Sequence, residues 1–548
     1  MSNLFIRQFE DSFKENWDLK SMCNYATGES ITYGEMACEI SKMHLLFKLF
    51  DIKQDDKIAI VGPNSQEMAI TFISVITYGA VAVPILEDSH PDVIEDIINH
   101  SEAQLLFVSD MDWKRIHGEK IPNVKAVFSL SEVNGMRLLQ GSRVNIMEEL
   151  RSLIGQTFPD GVRKEDVCYT DMDDDLPTVI IYTSGTSGFT KGVMLSGKNF
   201  CSNIDFLRKT NSWRKGYKGI SILPLAHVYA LINDLFLPLI VGACIIYLYK
   251  VPSLKLILTA MEKTRPEWIS LVPLFFEGIH KKYVVPYFKK RSNRILFKLP
   301  LISIYMRKRL KNRLIEILGG NLKRLFMGGA GLNRDVEAFF REIDFPFTIG
   351  YGMTECSPLI TMSYKHPKVF SVGKPLDNVR IKIASSDPMS VPGEILVKGN
   401  NVMKGYFKND EATRNTFTED GWFKTGDVGI LDKEGYLYLK GRTKNMILTS
   451  SGQNVYPEEI EVKLNSDPLV AESLVILRDG KRLVALIYPN YQLIGEDVDP
   501  HKLAEMMESV RLKTNHNLAS YEYLNVVEIV PEPFEKTAKK SIKRFLYQ

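Results

Sequence analysis

The run Tyr182-Thr183-Ser184-Gly185-Thr186-Ser187-Gly188-Phe189-Thr190-Lys191-Gly192-Val193 decides how this chain is read. The apolar, β-branched Leu176-Pro177-Thr178-Val179-Ile180-Ile181 before it reads as a buried strand. Met194 to Leu207 after it carries apolar residues at mixed spacing, consistent with a helix. The expectation is a hydroxyl- and glycine-rich loop leaving a strand. Glycines let backbone approach a ligand, while bare N–H groups and hydroxyls donate to phosphate oxygens. Lys191 adds a mobile positive charge. A flexible surface linker is the plain alternative, but linkers rarely join a buried strand to a helix and end in Lys-Gly. The Walker phosphate loop is excluded, because it needs Gly-Lys-Ser/Thr after its spacer and Lys191 is followed by Gly192.

A chain of 548 residues exceeds what one hydrophobic core supports, so at least two domains are expected. Hydrophobic residues at 45% and charged residues at 25% suit a soluble globular protein, and a net charge of +3 gives no global basis for nucleic-acid binding. The six cysteines are scattered, with no metal spacing, which fits free thiols in a reducing cytoplasm. The N-terminal residues lack the apolar core of a signal peptide. Leu235 to Tyr249 is the most membrane-like stretch. It is too short to span and is interrupted by Pro238 and Gly242, so a buried helix followed by a buried strand is expected.

Near the start, Ile31-Thr32-Tyr33-Gly34 leads into a helix to about Phe50. Strands at Lys57–Val61, Ala80–Ile85 and Leu105–Val108 then alternate with helices at Glu67–Tyr78 and Pro91–His100. That alternation predicts an α/β fold with a parallel sheet. The polar segment from Gly135 to Asp175 reads as a loose connection. Farther on, Ile220-Ser221-Ile222-Leu223-Pro224 is a strand ending at proline, with His227 and Tyr229 on the following turn. Taken alone, each of these two suits a core position as well as a site.

From Lys281 to Arg324, fourteen basic residues stand against Glu316 alone, interleaved with apolar and aromatic residues. This pattern suits an interfacial helix at an anionic membrane, and equally a solvated basic face over buried helices. Nucleic-acid binding lacks any accompanying motif.

Four further strings carry chemistry. Leu325-Phe326-Met327-Gly328-Gly329-Ala330-Gly331 is a strand entering a turn of small residues, against which a flat ring can lie. Thr348-Ile349-Gly350-Tyr351-Gly352-Met353-Thr354-Glu355 offers an aromatic ring for a base, a hydroxyl for phosphate and a hard oxygen ligand for Mg2+. Gly421-Trp422-Phe423-Lys424-Thr425-Gly426-Asp427 ends in a carboxylate able to accept from two ribose hydroxyls. Gly441-Arg442-Thr443-Lys444 marks a domain boundary. The following Ser451-Gly452-Gln453-Asn454-Val455-Tyr456-Pro457 opens a small α+β unit, with strands at Ala471–Leu477 and Leu483–Ile487 and a helix at His501–His516.

These strings, in this order, resemble the adenylate-forming superfamily: acyl-CoA synthetases, adenylation domains and luciferases. The resemblance covers nearly the whole chain. It implies a large N-terminal AMP-binding domain over 1–441 and a small mobile C-terminal domain over 442–548. It also implies ATP, Mg2+ and coenzyme A as cofactors and a carboxylic acid as substrate. Thr183, Ser184, Gly185, Thr186, Ser187, Gly188, Lys191, Gly329, Ala330, Tyr351, Gly352, Thr354, Asp427 and Arg442 are the implied nucleotide contacts. Lys191, Thr354 and Glu355 are the implied catalytic group, with Glu355 on the metal. His227 and Tyr229 border the substrate channel, Lys444 is the hinge, and Gly452, Gln453 and Asn454 lie on the coenzyme A side.

The implied reaction is ATP-dependent activation of a medium- to long-chain fatty acid through an acyl-adenylate, followed by transfer to coenzyme A. An aryl- or other acid–CoA ligase, an enzyme loading a carrier protein, and a catalytically impaired nucleotide-binding, membrane-associated protein are the alternatives. The expected location is cytoplasmic, with peripheral membrane contact through 281–324. The tail departs from the pattern: aligned on Ile542-Lys543-Arg544, the position of the family's lysine holds Ser541. Among neighbouring lysines, Lys540 is the expected replacement.

Overall fold

In the computed structural model, the described residues are 4–130, 137–141, 143, 145–184, 190–448, 453–479, 482–536 and 542–547, without the side chain of Ser184. Gly185, Thr186, Ser187, Gly188, Gly452, Lys540 and Ser541 therefore lie outside them.

Two large sheets frame the N-terminal part. One has eight strands in the order Gly405–Tyr406, Thr190–Ser196, Pro177–Ser184, Val81–Ile85, Lys57–Val61, Ala103–Val108, Ala126–Ser129, Leu138–Gly141. Its centre is parallel, as βα alternation requires, and the helices Gln66–Tyr78 and Pro91–Ser101 connect its strands. The first of these helices has a legible start and stop. Ser65 caps the first, accepting from the Met68 N–H, and Gly79 at φ +94° ends it. The other sheet has nine strands and carries Lys218–Ser221, Trp268–Leu271, Arg324–Met327 and Phe347–Gly352, the first three pairs of which are parallel neighbours. The expected helix-then-strand over Leu235–Tyr249 is present as helix through Ile240 and the buried strand Cys244–Tyr247.

Three expectations need correction. The serine- and glycine-rich run does not lead from strand to helix. Pro177–Ser184 and Thr190–Ser196 are an antiparallel pair, and the helix begins only at Gly197. Val193 and Leu195 are buried by strand alternation, while the Ser196 hydroxyl accepts from the Asn199 N–H in a capping box that delays the helix. The polar stretch from Gly135 to Asp175 is not a bare connection either. It contains the strand Leu138–Gly141 and the helix Ile146–Thr157, which buries Ile146 and Leu150 one turn apart. Of His227 and Tyr229 only the first sits on the turn, its N–H donating to the Pro224 carbonyl at 2.9 Å. His227 precedes, and Tyr229 belongs to, the helical stretch Val228–Ile240.

C-terminal to Asn445, the chain builds apolar clusters of its own. Val455, Ile460, Leu464, Val475, Ile487, Met507 and Val510 pack together, and Leu474, Ile476, Val484, Leu486 and Phe534 form a second cluster on the other face of the strands Val470–Arg478 and Arg482–Pro489. Among the described residues, no helix is long and apolar enough to cross a membrane.

Candidate active site

Lys191 sits on the outgoing strand of the hairpin, opposite Thr183. Next to it, Gly192 has no room for a side chain: a Cβ there would lie 2.9 Å from Ile180 and 3.1 Å from the Tyr182 ring. That close fit draws in a third segment. The Phe407 N–H donates to the Gly192 carbonyl at 2.7 Å, and Tyr406 pairs with Val193. The Lys191 ammonium then stands 4.9 Å from the centre of the Tyr406 ring, a cation–π distance. The same tyrosine reaches the other way, donating its hydroxyl to Glu355 Oε1 at 3.0 Å. Met403 N–H donates to the Glu355 carbonyl at 2.8 Å. Two residues 164 positions apart in sequence (355 − 191) are thus tied through one side chain. Burial pushes the Tyr406 phenol well up, so it stays a donor.

Thr354 and Glu355 occupy a single tight turn, Thr354–Cys356, after the strand Phe347–Gly352. Gly352 is required there, since a Cβ would fall 1.8 Å from the Pro358 carbonyl oxygen. Asn203, wholly buried, fixes the turn from beneath by donating to the carbonyls of Cys356 and Ser357 at 3.2 and 2.6 Å. Among the described residues no three His, Cys, Asp or Glu side chains cluster as a metal cage. A lone glutamate with one free oxygen fits Mg2+, which keeps most of its water and relies on one or two carboxylates plus substrate phosphates.

A second group forms around Asp427. The Tyr351 hydroxyl donates to its Oδ2 at 2.8 Å, Arg442 Nε lies 3.1 Å from its Oδ1, and the Thr425 hydroxyl accepts from its N–H at 3.1 Å. Burial raises the Asp427 carboxyl, with Arg442 and the Tyr351 hydroxyl opposing. Lys444 follows two residues later in the turn Thr443–Asn445, its ammonium disfavoured by burial and by Arg442. Beside it, Asn445 donates to Glu458 at 2.6 Å and Lys440 pairs with Glu459 at 2.8 Å, linking this boundary to the helix Pro457–Leu464. Gln453 and Asn454 are exposed, Asn454 on a short strand paired with Ile447–Leu448.

The third group is the small-residue turn. Gly329, at φ +83°, and Ala330 are exposed. A Cβ on Gly328 would lie 3.5 Å from the Gly350 carbonyl oxygen and 3.6 Å from the Tyr229 ring, so turn, strand and ring meet there. The Tyr229 hydroxyl dips into a buried layer that sequence reading missed. There Ser270 donates to Asp234 Oδ1 at 2.8 Å, and burial pushes the Asp234 carboxyl up to about 8.

At the tail, Lys536 and Ile542 form an antiparallel bridge around the five residues outside the described set. Arg544 pairs closely with the buried Glu461, and Phe534 packs edge-on against Tyr547 at 5.0 Å.

Two strand-end groups, Lys191–Tyr406–Glu355 and Tyr351–Asp427–Arg442, on a mixed α/β framework followed by a C-terminal unit define the class. Residues 9–407 match the AMP-binding enzyme family and residues 444–547 its C-terminal domain, so the chain belongs to that family. A long-chain-fatty-acid–CoA ligase of Mycobacterium bovis is 27% identical across 94% of this chain and 90% of its own. A chloroplastic long-chain-fatty-acid–[acyl-carrier-protein] ligase of Arabidopsis thaliana is 26% identical across 92% and 78%. Among solved structures, ATP-bound MatB from Rhodopseudomonas palustris shares the fold at a TM-score of 0.76, with 22% identity over 99% of this chain and 98% of that one. The o-succinylbenzoate coenzyme A synthetase of Bacillus subtilis, in complex with ATP and a magnesium ion, does so at 0.75, with 22% identity over 98% of each.

Proposed function

We propose that this protein is an AMP-forming acid–CoA ligase acting on medium- to long-chain fatty acids. The single observation that carries the reading is the joining of Lys191 to Glu355 through Tyr406, in a chain that belongs to the AMP-binding family. A carboxylate is a poor electrophile, and AMP is a far better leaving group than hydroxide. In the first step a carboxylate oxygen attacks the α-phosphorus of ATP and pyrophosphate departs. In the second, a thiolate attacks the acyl carbon and AMP departs with the former carboxylate oxygen. Lys191, Thr183, Ser184 and the run Gly185–Gly188 hold the phosphates, with Thr354 beside them. Glu355 would hold Mg2+, which when bound would supply positive charge to offset that of the departing phosphates.

Tyr351, Gly329 and Ala330 receive the base, while Asp427 and Arg442 receive the ribose. Asp427 is already oriented by Tyr351 and Arg442, so little ordering is left for binding. His227 and Tyr229 border the acyl group. Residues 442–548 form the mobile domain, with Lys444 as hinge, Gly452 to Asn454 on the coenzyme A side and Lys540 on the tail. The fatty-acid assignment leans on the names of the relatives. Since one of them loads a carrier protein, the acceptor is the point to test.

The basic segment supports peripheral membrane contact from the cytoplasmic side. In the helix Pro300–Ile317, Ser303, Met306, Leu310 and Leu314 face inward, while Leu301, Ile304 and Tyr305 on the outer face are 85%, 63% and 64% exposed. A purely solvated face would not carry these three side chains at helical spacing. Of the fourteen basic residues, Arg307 and Lys311 form ion pairs among the described residues, so most of the charge is uncommitted. Pyrophosphate exchange across straight-chain acids, followed by product analysis with coenzyme A and with a phosphopantetheinylated carrier protein, tests the assignment. Acyl-CoA from long-chain acids is expected; exchange supported by aryl or short acids alone would overturn it.

A further inference from the structure

Tyr406 belongs to none of the site positions assigned above, yet among the described residues its side chain touches both Lys191 and Glu355 of the proposed phosphate site. It is 7% exposed and held from every side. Its N–H donates to the Thr413 hydroxyl at 2.9 Å, its carbonyl accepts from Asn409 at 3.1 Å, and its strand pairs with Thr190–Ser196. The segment on which it rides also fixes its two clients: Phe407 N–H binds the Gly192 carbonyl, and Met403 N–H binds the Glu355 carbonyl, at 2.7 and 2.8 Å. The ring has Lys191 at 4.9 Å, and the hydroxyl has Glu355 Oε1 at 3.0 Å. No acid forms an ion pair with Lys191 among the described residues, so the ammonium is placed by the ring face and stays available to an anion. Glu355 Oε1 is committed to the phenol, and no hydrogen bond engages Oε2 among the described residues.

We infer that Tyr406 is a positioning residue that sets the Glu355 carboxylate for Mg2+ and the Lys191 ammonium for phosphate at the same time. This rests on the reading of Lys191 and Glu355 given above. The two halves of the side chain act separately: hydroxyl on the metal side, ring on the phosphate side. A glutamate without its donor must lose rotamer freedom on binding the ion.

The test is equilibrium binding of ATP in the absence of any carboxylic acid, in excess EDTA and in Mg2+, for the full-length wild type, Tyr406→Phe, Tyr406→Leu and Glu355→Gln. The readout is the factor by which Mg2+ tightens ATP, which a packing defect would not change selectively. Tyr406→Phe keeps the ring: EDTA binding is expected unchanged, and the Mg2+ factor is expected to fall about ten-fold. Tyr406→Leu is expected to weaken EDTA binding as well, because Lys191 loses its ring. Glu355→Gln is expected to lose most of the Mg2+ factor. If Glu355→Gln loses it and Tyr406→Phe does not, the positioning role is refuted while the metal assignment stands. If Glu355→Gln keeps the factor, the metal assignment fails and the tyrosine's role fails with it. If folded Tyr406→Phe weakens both conditions equally, Tyr406 is a packing residue and the inference is wrong.

Discussion

Replacing Arg544 by alanine should destabilise the C-terminal unit in a way that grows with pH. Arg544 ties the chain's last residues to Glu461, which also accepts from the Val475 N–H at 2.7 Å; the two side chains are only 15% and 11% exposed. Burial raises Glu461 from 4.5 to about 7, with Arg544 and the Val475 bond pulling against it and Glu458 adding to it. Because the folded value lies above the unfolded one, the stability linked to this group is complete below the unfolded value. It is lost as pH rises to about 7 and changes little beyond. Without Arg544 the folded value climbs further, so the loss continues above pH 7.

Removing one partner of a buried pair costs about 3–5 kcal/mol when the orphan stays charged, but a carboxyl can protonate instead. Near pH 6 Glu461 is mostly protonated in both proteins, and the pH-linked cost is close to nil. Above about pH 7 the wild-type carboxylate ionises beside Arg544 while the variant's resists ionising, so the difference grows by up to about 1.4 kcal/mol per pH unit and reaches roughly 2 kcal/mol at most at about pH 8.5. Urea unfolding of both proteins at the two pH values measures it, and Arg544→Lys should restore most of the gap. A destabilisation equal at both pH values, or larger at the acid one, would refute the reasoning.

Four further outcomes follow from the same structure. Asp234→Asn should stabilise the protein by an amount that grows from acid to about pH 8, reaching a few kcal/mol. The wild-type carboxyl, raised from 3.8 to about 8 by burial, loses linked stability across that window; thermal melts at several pH values check it. Glu355→Ala should cut pyrophosphate exchange by about 3 kcal/mol of barrier or more, measured at saturating acid and ATP. Lys444→Pro fixes φ in the turn between the two units; adenylation should persist while thioester formation from preformed adenylate falls. Leu301→Ser combined with Ile304→Ser should reduce co-sedimentation with anionic vesicles without altering pyrophosphate exchange on dispersed acid, and high salt should weaken wild-type binding.

Much of the fold was legible because its signals are local. Strands such as Val81–Ile85 are uninterrupted apolar runs, and the helix after Thr32 announces itself with a capping box to Glu35. At Lys191 the period-two burial of Val193 and Leu195 is too short to stand out against the amphipathic helix that follows Ser196. The helix Ile146–Thr157 was missed because two buried residues in a polar stretch make a weak stripe. In the site, strings such as Thr354-Glu355 and Gly426-Asp427 were readable as chemistry. Their partnerships were not: Tyr406 with Glu355, and Tyr351 with Asp427, join residues 51 and 76 positions apart. Asp234 was invisible for another reason, since its perturbation comes from total burial beside Ser270, which no local pattern encodes.

The central claim is that a carboxylate oxygen becomes bonded to the α-phosphorus of ATP before the thiol attacks. A long-chain fatty acid labelled with 18O in both carboxyl oxygens, turned over with ATP, Mg2+ and coenzyme A, tests it directly. The account predicts one labelled oxygen in the AMP formed and one retained in the acyl-CoA. Label appearing in inorganic phosphate with ADP as the nucleotide product, or AMP released without label, would contradict it.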